Sequence, residues 1–262
     1  MILHSENIDD IKTYTRIVSL VPSQTELLYD LGLDEEVIGI TKFCVHPNVW
    51  HKTKTRLGGT KNLKINIIQK LKPDLIIANK EENIREQIEQ LAKTFDVFVT
   101  DVRNINDALK MIKNVGMLTG QASSAVRIAN SIQSTFKKLF EKISSKEKIK
   151  TAYVIWRNPY MVAGGDTFIS DMMQYCGMQN IYSNMKRYPE INIEDLKDKC
   201  ELLLLSSEPY PFKEKHIREL QSQIPAVKIV LADGEMFSWY GSRLLKAAKY
   251  FETFYKTIVP IK

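Results

Sequence analysis

From Gln121 to Arg157 the chain contains neither glycine nor proline, the two residues that most readily interrupt a helix. Apolar side chains recur within this stretch at Ala125, Ile128, Ala129, Ile132, Phe136, Leu139, Phe140 and Ile143. Spacings of three and four predict one amphipathic helix over 121–146, about 25 residues and roughly 37 Å long at 1.5 Å per residue. Such an element is long for a single lobe, so it is expected to bridge two lobes and hold them at a fixed separation. An ordinary long surface helix is the alternative.

Short apolar runs flank this helix on both sides. They predict strands at 16–21, 37–40, 74–78 and 97–100, and a second set at 151–156, 202–206 and 227–231. Helical patterns alternate with them, as at 83–94 and 106–118, which predicts an α/β fold with central parallel sheets. With 262 residues, 44% of them hydrophobic, the chain is long enough for two cores. The expected organisation is an α/β lobe over 1–120, the connecting helix over 121–146 and a second α/β lobe over 147–262.

The halves also echo one another. "INIIQKLKPDLIIANKEENIREQIEQL" and "INIEDLKDKCELLLLSSEPYPFKEKHIREL" share the order helix, buried strand, acidic loop, helix, with Glu81 level with Glu208. "VPSQTELLYDLG" likewise resembles "GGDTFISDMMQYCG", with Thr25 or Thr167 near the helix start and Gly32 or Gly177 at its end. A glycine there suits the left-handed position that closes a helix. In open parallel sheets ligands sit beyond the carboxyl ends of the strands, so two facing lobes would line one cleft with their loops. The loops are therefore where function is sought.

The net charge of +6 is spread along the chain and no nucleic-acid-reading motif accompanies it, so no nucleic-acid partner is expected. Cys44, Cys176 and Cys200 lie far apart without a CxxC pair, which indicates neither a zinc ribbon nor a disulfide framework. The opening "MILHSENIDDIKTYTR" places acids where a signal peptide has its apolar core. No apolar run is long enough to span a bilayer. The sequence as it stands therefore reads as soluble, without an export signal.

Within the loops, "TKFCVHPNVWH" brings Cys44 and His46 two residues apart. They form a metal pair only if other ligands converge on them; otherwise they are a packed thiol and a hydrogen-bonded imidazole. In "RLGGTKN", Gly58 and Gly59 allow a tight turn or close backbone approach, and Lys61 can meet an anion. The ending is not that of a phosphate-binding loop. The second half is richer in aromatics: Trp156 and Arg157 lead towards Tyr160, Tyr188 lies in "KRYPEI", and "GEMFSWYGSR" gathers Phe237, Trp239, Tyr240 and Arg243. Aromatics beside arginines suit a large, partly apolar ligand with polar edges. Glu81, Glu82 and Glu208 could be solvated loop acids, an acid/base pair, or one docking patch per lobe. In the corner "RIVSLVPSQTELLYDLGL", Pro22 is expected to set the turn. Ser23 is expected to cap the helix, with Glu26 completing a capping box.

These stretches resemble the helical-backbone solute-binding proteins of ABC importers, the family for cobalamin and ferric siderophores. The resemblance runs from about Arg16 to the C-terminus and is nearest the cobalamin branch. It is carried by "VSLVPSQTELLYDLG", "GGTKNLKINIIQKLKPDLIIA", "GGDTFISDMMQYCGMQNIY" and "DGEMFSWYGSR". It implies a binding protein, not an enzyme, with no intrinsic cofactor, whose ligand is cobalamin-like first and a ferric siderophore or haem second. The ligand positions it implies are Pro22, Ser23, Phe43, Gly59, Thr60, Lys61, Asn79, Trp156, Phe237, Trp239 and Tyr240, to which the reading of the loops themselves adds His46, Arg157, Tyr160, Tyr188 and Arg243. It further implies a monomer that docks on a permease with its ATPase. The docking carboxylates would be Glu81, Glu82 or Glu86 in one lobe and Glu208 or Glu214 in the other. A periplasmic or cell-envelope location follows from the resemblance; the rival is a cytoplasmic metal or corrinoid carrier, or an enzyme, on the same scaffold. Two positions depart from the cobalamin branch, where tryptophans are expected and Thr60 and Asn79 stand here.

Overall fold

The computed structural model describes residues 1–4, 8 and 12–259; the acidic positions Glu6, Asp9 and Asp10 of the opening stretch lie outside them. In chain order the first elements are β1 (Ile2–Leu3), β2 (Ile17–Ser19), α1 (Pro22–Asp30), β3 (Val37–Ile40), α2 (Asn48–Thr53) and β4 (Thr55–Arg56). There follow β5 (Gly58–Gly59), β6 (Asn62–Leu63), α3 (Ile65–Leu71), β7 (Leu75–Asn79), α4 (Arg85–Ala92), β8 (Asp96–Thr100), α5 (Ile105–Leu118) and α6 (Ala122–Ile143). The remainder comprises β9 (Ile149–Trp156), β10 (Tyr160–Val162), α7 (Phe168–Gln174), β11 (Met178–Asn180), β12 (Glu190–Ile191) and a 3-10 turn (Ile193–Leu196). It closes with β13 (Leu202–Ser206), α8 (Glu214–Gln223), β14 (Lys228–Ala232), α9 (Gly234–Ser238) and α10 (Leu244–Ile258).

Two compact units result. One holds Met1–Val102, Asn106–Gln133 and Tyr240–Arg243; the other holds Arg103–Ile105, Ser134–Trp239 and the chain from Leu244 onward. In the first unit the order of the six-stranded sheet is β1-β8-β7-β2-β3-β4, and every pairing within that sheet is parallel. Its central strand β7 is buried at all five positions, which is why it reads as an unbroken apolar run rather than an alternating one. In the second unit β9, β13 and β14 are parallel, but β10 and β12 add an antiparallel flank. That flank departs from the wholly parallel sheet expected. Its strands are two and three residues long, too short to leave an apolar run in the sequence.

The long helix forms over 22 residues, close to the expected span, and the chain passes from one unit to the other between Gln133 and Ser134. Ala125, Ala129 and Ile132 are buried in the first unit, and Phe136, Leu139 and Ile143 in the second. Phe140 departs from this stripe: it is exposed, with its ring meeting the edge of Tyr175 at 5.9 Å. Gly32 and Gly177 have φ of 92° and 69°, the left-handed closure expected after α1 and α7. No helix among the described residues is long and apolar enough to cross a membrane.

Candidate functional site

In the first unit the strand-end loops are tied by buried amides. The Asn79 side-chain oxygen accepts from the backbone N–H groups of Glu81 and Glu82 at 2.8 and 3.1 Å. Its side-chain nitrogen donates to the Thr100 carbonyl at 3.0 Å. Asn83 accepts from the Asn79 backbone N–H and donates to the Thr60 carbonyl, while Gln24 donates to the Thr100 hydroxyl at 2.7 Å. The side chains of Asn79 and Asn83 thus hold the loops in shape, a role suited to short polar side chains that imitate backbone turns, with Thr60 contributing its backbone carbonyl. The "GGTKN" stretch is a hairpin whose tip is Thr60–Lys61, with Gly58 opposite Leu63 and Gly59 opposite Asn62. Gly58 has φ of 89°, and a Cβ there would lie 2.3 Å from the Asn62 carbonyl oxygen, so a side chain is excluded at that position. Lys61 donates to the Glu81 carbonyl, drawing the hairpin tip onto the acidic loop. Phe43 remains 50% exposed, with the Lys42 ammonium 4.9 Å from its ring centre in cation–π contact.

The corner "VPSQTE" is built differently from the expected capping box. Val21 precedes the helix, Pro22 opens it, and no side chain caps it. Ser23 and Glu26 both lie inside the helix and are buried. The Thr25 hydroxyl takes over the polar contacts, reaching Ser19 Oγ at 2.8 Å and the Val21 carbonyl at 2.9 Å. Glu26 instead receives Arg243 in a two-bond fork, Nε to Oε2 at 2.7 Å and Nη2 to Oε1 at 2.8 Å. Both side chains are 7% exposed. Gly241 passes over the same helix with φ of 133°, where an added Cβ would stand 3.1 Å from the Ser23 carbonyl oxygen. Arg243, expected at the ligand, is therefore a buried partner of Glu26, and Tyr240 beside it is buried as well. By contrast Thr167, the counterpart of Thr25, caps α7 by accepting from the Ser170 N–H at 3.2 Å.

Cys44 is buried, with Thr25 Oγ1 at 3.1 Å and Thr41 Oγ1 at 3.2 Å from its sulfur. Burial pushes its thiol pKa up, which disfavours the thiolate a metal requires. His46 lies half-buried on the same loop. Among the described residues no three His, Cys, Asp or Glu side chains converge as a metal site. The packed-thiol alternative is the one the structure adopts for Cys44.

In the second unit Trp156 stands 41% exposed at the end of β9, its ring meeting the edge of Tyr210 at 5.8 Å. Arg157 pairs with Glu219, and Tyr160 in β10 and Tyr188 just before β12 are half-buried. Phe237 differs from the expectation of a ligand-facing ring: it is 0% exposed and packs between Tyr153 at 5.0 Å and Phe251 at 4.8 Å, so it belongs to the core. Trp239 is also buried, donating Nε1–H to Glu208 Oε1 at 2.8 Å. Ser238 donates to that same oxygen at 2.7 Å. Glu208, expected as a docking carboxylate, is thus turned inward against α9, and burial pushes its pKa up. Glu86 and Glu214 remain exposed, in the first turns of α4 and α8. These helices follow the equivalent strands β7 and β13, and a carboxylate at a helix N-terminus is favoured by the helix dipole. Glu81 and Glu82 are half-buried. Tyr210 escaped sequence reasoning because only its contact with Trp156, set by the fold, marks it out.

Comparison with known proteins agrees with this construction. A vitamin B12-binding protein of Vibrio parahaemolyticus is 23% identical over 216 residues, covering 81% of this chain and 78% of its own length. An uncharacterised ABC transporter substrate-binding lipoprotein, YvrC, of Bacillus subtilis is 25% identical over 246 residues, covering 89% of this chain and 77% of that one. Among solved structures, a periplasmic heme binding protein from Pseudomonas aeruginosa superposes with a TM-score of 0.80 at 18% identity, covering 95% of each chain. These relatives are binding proteins and not enzymes. The family described as periplasmic binding protein matches residues 17–228, and the chain belongs to that family.

Proposed function

We propose that this protein is the substrate-binding component of an ABC-type importer for a metal-bearing cofactor or chelate. Cobalamin-like compounds come first, with ferric siderophores or haem second. The observation that carries the reading is that each unit leaves a large aromatic half in water at a strand end, Phe43 just after β3 and Trp156 at the end of β9. Exposed apolar surface costs about 25 cal/mol per Å², and a large ring-bearing ligand relieves that cost by stacking on it. Lys61, exposed at the hairpin tip, supplies a cation for a carboxylate or phosphate edge of such a ligand. Tyr160 and Tyr188 add half-buried amphipathic rings in the second unit. Delivery is to a permease with its ATPase, and Glu86 and Glu214 are the carboxylates that meet it, one from each unit. The location that follows is the periplasm or cell envelope.

Calorimetry with cyanocobalamin, haem and a panel of ferric siderophores tests this. Saturable heat with one of them is expected, weakened about tenfold or more by Trp156→Ala, in line with the weight of buried aromatic anchors. No heat with any corrinoid, haem or ferric chelate would overturn it.

A further inference from the structure

The opening turn of α8 is closed by a histidine. The backbone N–H of Lys213, the residue before the helix, donates to Nδ1 of His216 at 2.9 Å. A ring nitrogen that accepts carries no proton, so this imidazole is the neutral tautomer with its hydrogen on Nε2. Nε2 is buried without a hydrogen-bond partner, and the residue is 3% exposed. Tyr210 and Phe212 enclose it, their ring centres at 5.6 and 5.4 Å. The charged groups acting on the ring are Arg157 at the end of β9 and Lys215 and Glu219 on its own helix, Glu219 being paired to Arg157. The 3-10 turn and β14 meet α8 through apolar side chains, with Ile193, Leu196 and Ile229 in one cluster with Leu220 and Ile224.

A second proton would have to enter at Nδ1, directly opposing the Lys213 N–H. It would place a cation in an apolar enclosure beside a guanidinium. The charged ring cannot keep the cap, because both of its nitrogens are donors. We propose that His216 is an acid-sensitive cap: protonation breaks the Lys213–His216 bond, loosens the first turn of α8 and displaces Glu214, which that turn carries. The consequence for transport rests on the docking role of Glu214 proposed above; the cap itself does not. Burial first, and Arg157 second, hold the pKa of the ring below the ordinary histidine value. The neutral ring is therefore favoured by folding: the cap is complete above the unfolded value of about 6.5 and is lost as pH falls through the lower folded-state value.

Nitrogen-15 NMR of the labelled protein reads the tautomer, and amide exchange reads the cap. The expected result is a bare Nδ1 at neutral pH. The protection factor of the Lys213 amide is expected to drop at least tenfold as pH is lowered from neutral to the onset of acid unfolding, while amides of α4 keep theirs. His216→Gln retains a side-chain acceptor at the same helix position without titrating, so its profile should be flat. A proton on Nδ1 at neutral pH, or Lys213 protection in the wild-type protein that stays unchanged down to the onset of acid unfolding, overturns the proposal whether or not the variant folds. Permease affinity measured across the same range should fall with acid for the wild type and stay level for His216→Gln. Lost protection with level wild-type affinity overturns the link to Glu214. Lost protection with no permease binding at any pH supports the cap and overturns the docking reading instead.

Discussion

Glu26 and Arg243 lie more than two hundred residues apart in sequence and are joined by a bidentate pair with both groups buried. Removing one partner of such a pair leaves a buried charge uncompensated and costs about 3–5 kcal/mol. Glu26→Ala is expected to lose that much in urea denaturation, whereas Glu26→Met combined with Arg243→Met should lose far less, because no orphan charge remains. Cys44 makes a second residue-level prediction. Its thiol is buried and its pKa raised by that burial, so at neutral pH it should resist alkylation in the folded protein and react fully in denaturant, as read by mass spectrometry. Ready alkylation of folded protein would show that the thiol is accessible.

At the scale of elements, α9 and the loop after β13 are joined through the Glu208 carboxylate, which receives Ser238 and Trp239 on one oxygen. Its pKa is raised, chiefly by burial, so folding favours the protonated acid. Its contribution is largest below the unfolded value of about 4.3 and is lost as pH rises through the folded value. Glu208→Gln keeps the acceptor and removes the charge, so it should raise the melting temperature at neutral pH, with the gain vanishing near pH 4. A lower melting temperature at neutral pH would contradict this. The long helix α6 and the strands β7 and β13 were legible because each is a sustained pattern, helical spacing in one and unbroken apolar runs in the others. The short strands β10, β11 and β12 were not, since two or three residues carry no periodicity and pairing alone defines them.

Across the whole molecule, the internal echo between halves places one exposed acid at the start of α4 and one at the start of α8. Sequence alignment of the halves set Glu81 level with Glu208, and both of these are half-buried. The loops fold those positions partly inward, and the helix starts are what remain at the surface. Reversal of Glu86 and Glu214 to Lys together is expected to abolish binding to the permease in a pull-down or ATPase-stimulation assay. Ligand affinity by calorimetry should be unchanged, because surface charges away from the ligand loops alter docking and not stacking. Undiminished docking would remove these residues from that role.

What the sequence by itself determined is the class of fold and the kind of protein. Breaker-free helical spacing, apolar strand runs and closing glycines are local patterns whose physics needs only neighbours in the chain. The stretches proposed to carry function were legible as the ends and connections of these elements, although Asn79, Trp156 and Tyr160 fall within strands and Phe237 within a helix. Which of their side chains face solvent was decided only by tertiary structure. Phe237 and Trp156 are both aromatics near strand ends, yet one meets Tyr153 and Phe251 in a core and the other stands half in water. Ser23 and Glu26 have the spacing of a capping box, yet Arg243 arrives from the far end of the chain and claims the carboxylate. Burial and charge pairing are sums over neighbours brought together by folding, and no stretch of sequence contains those neighbours.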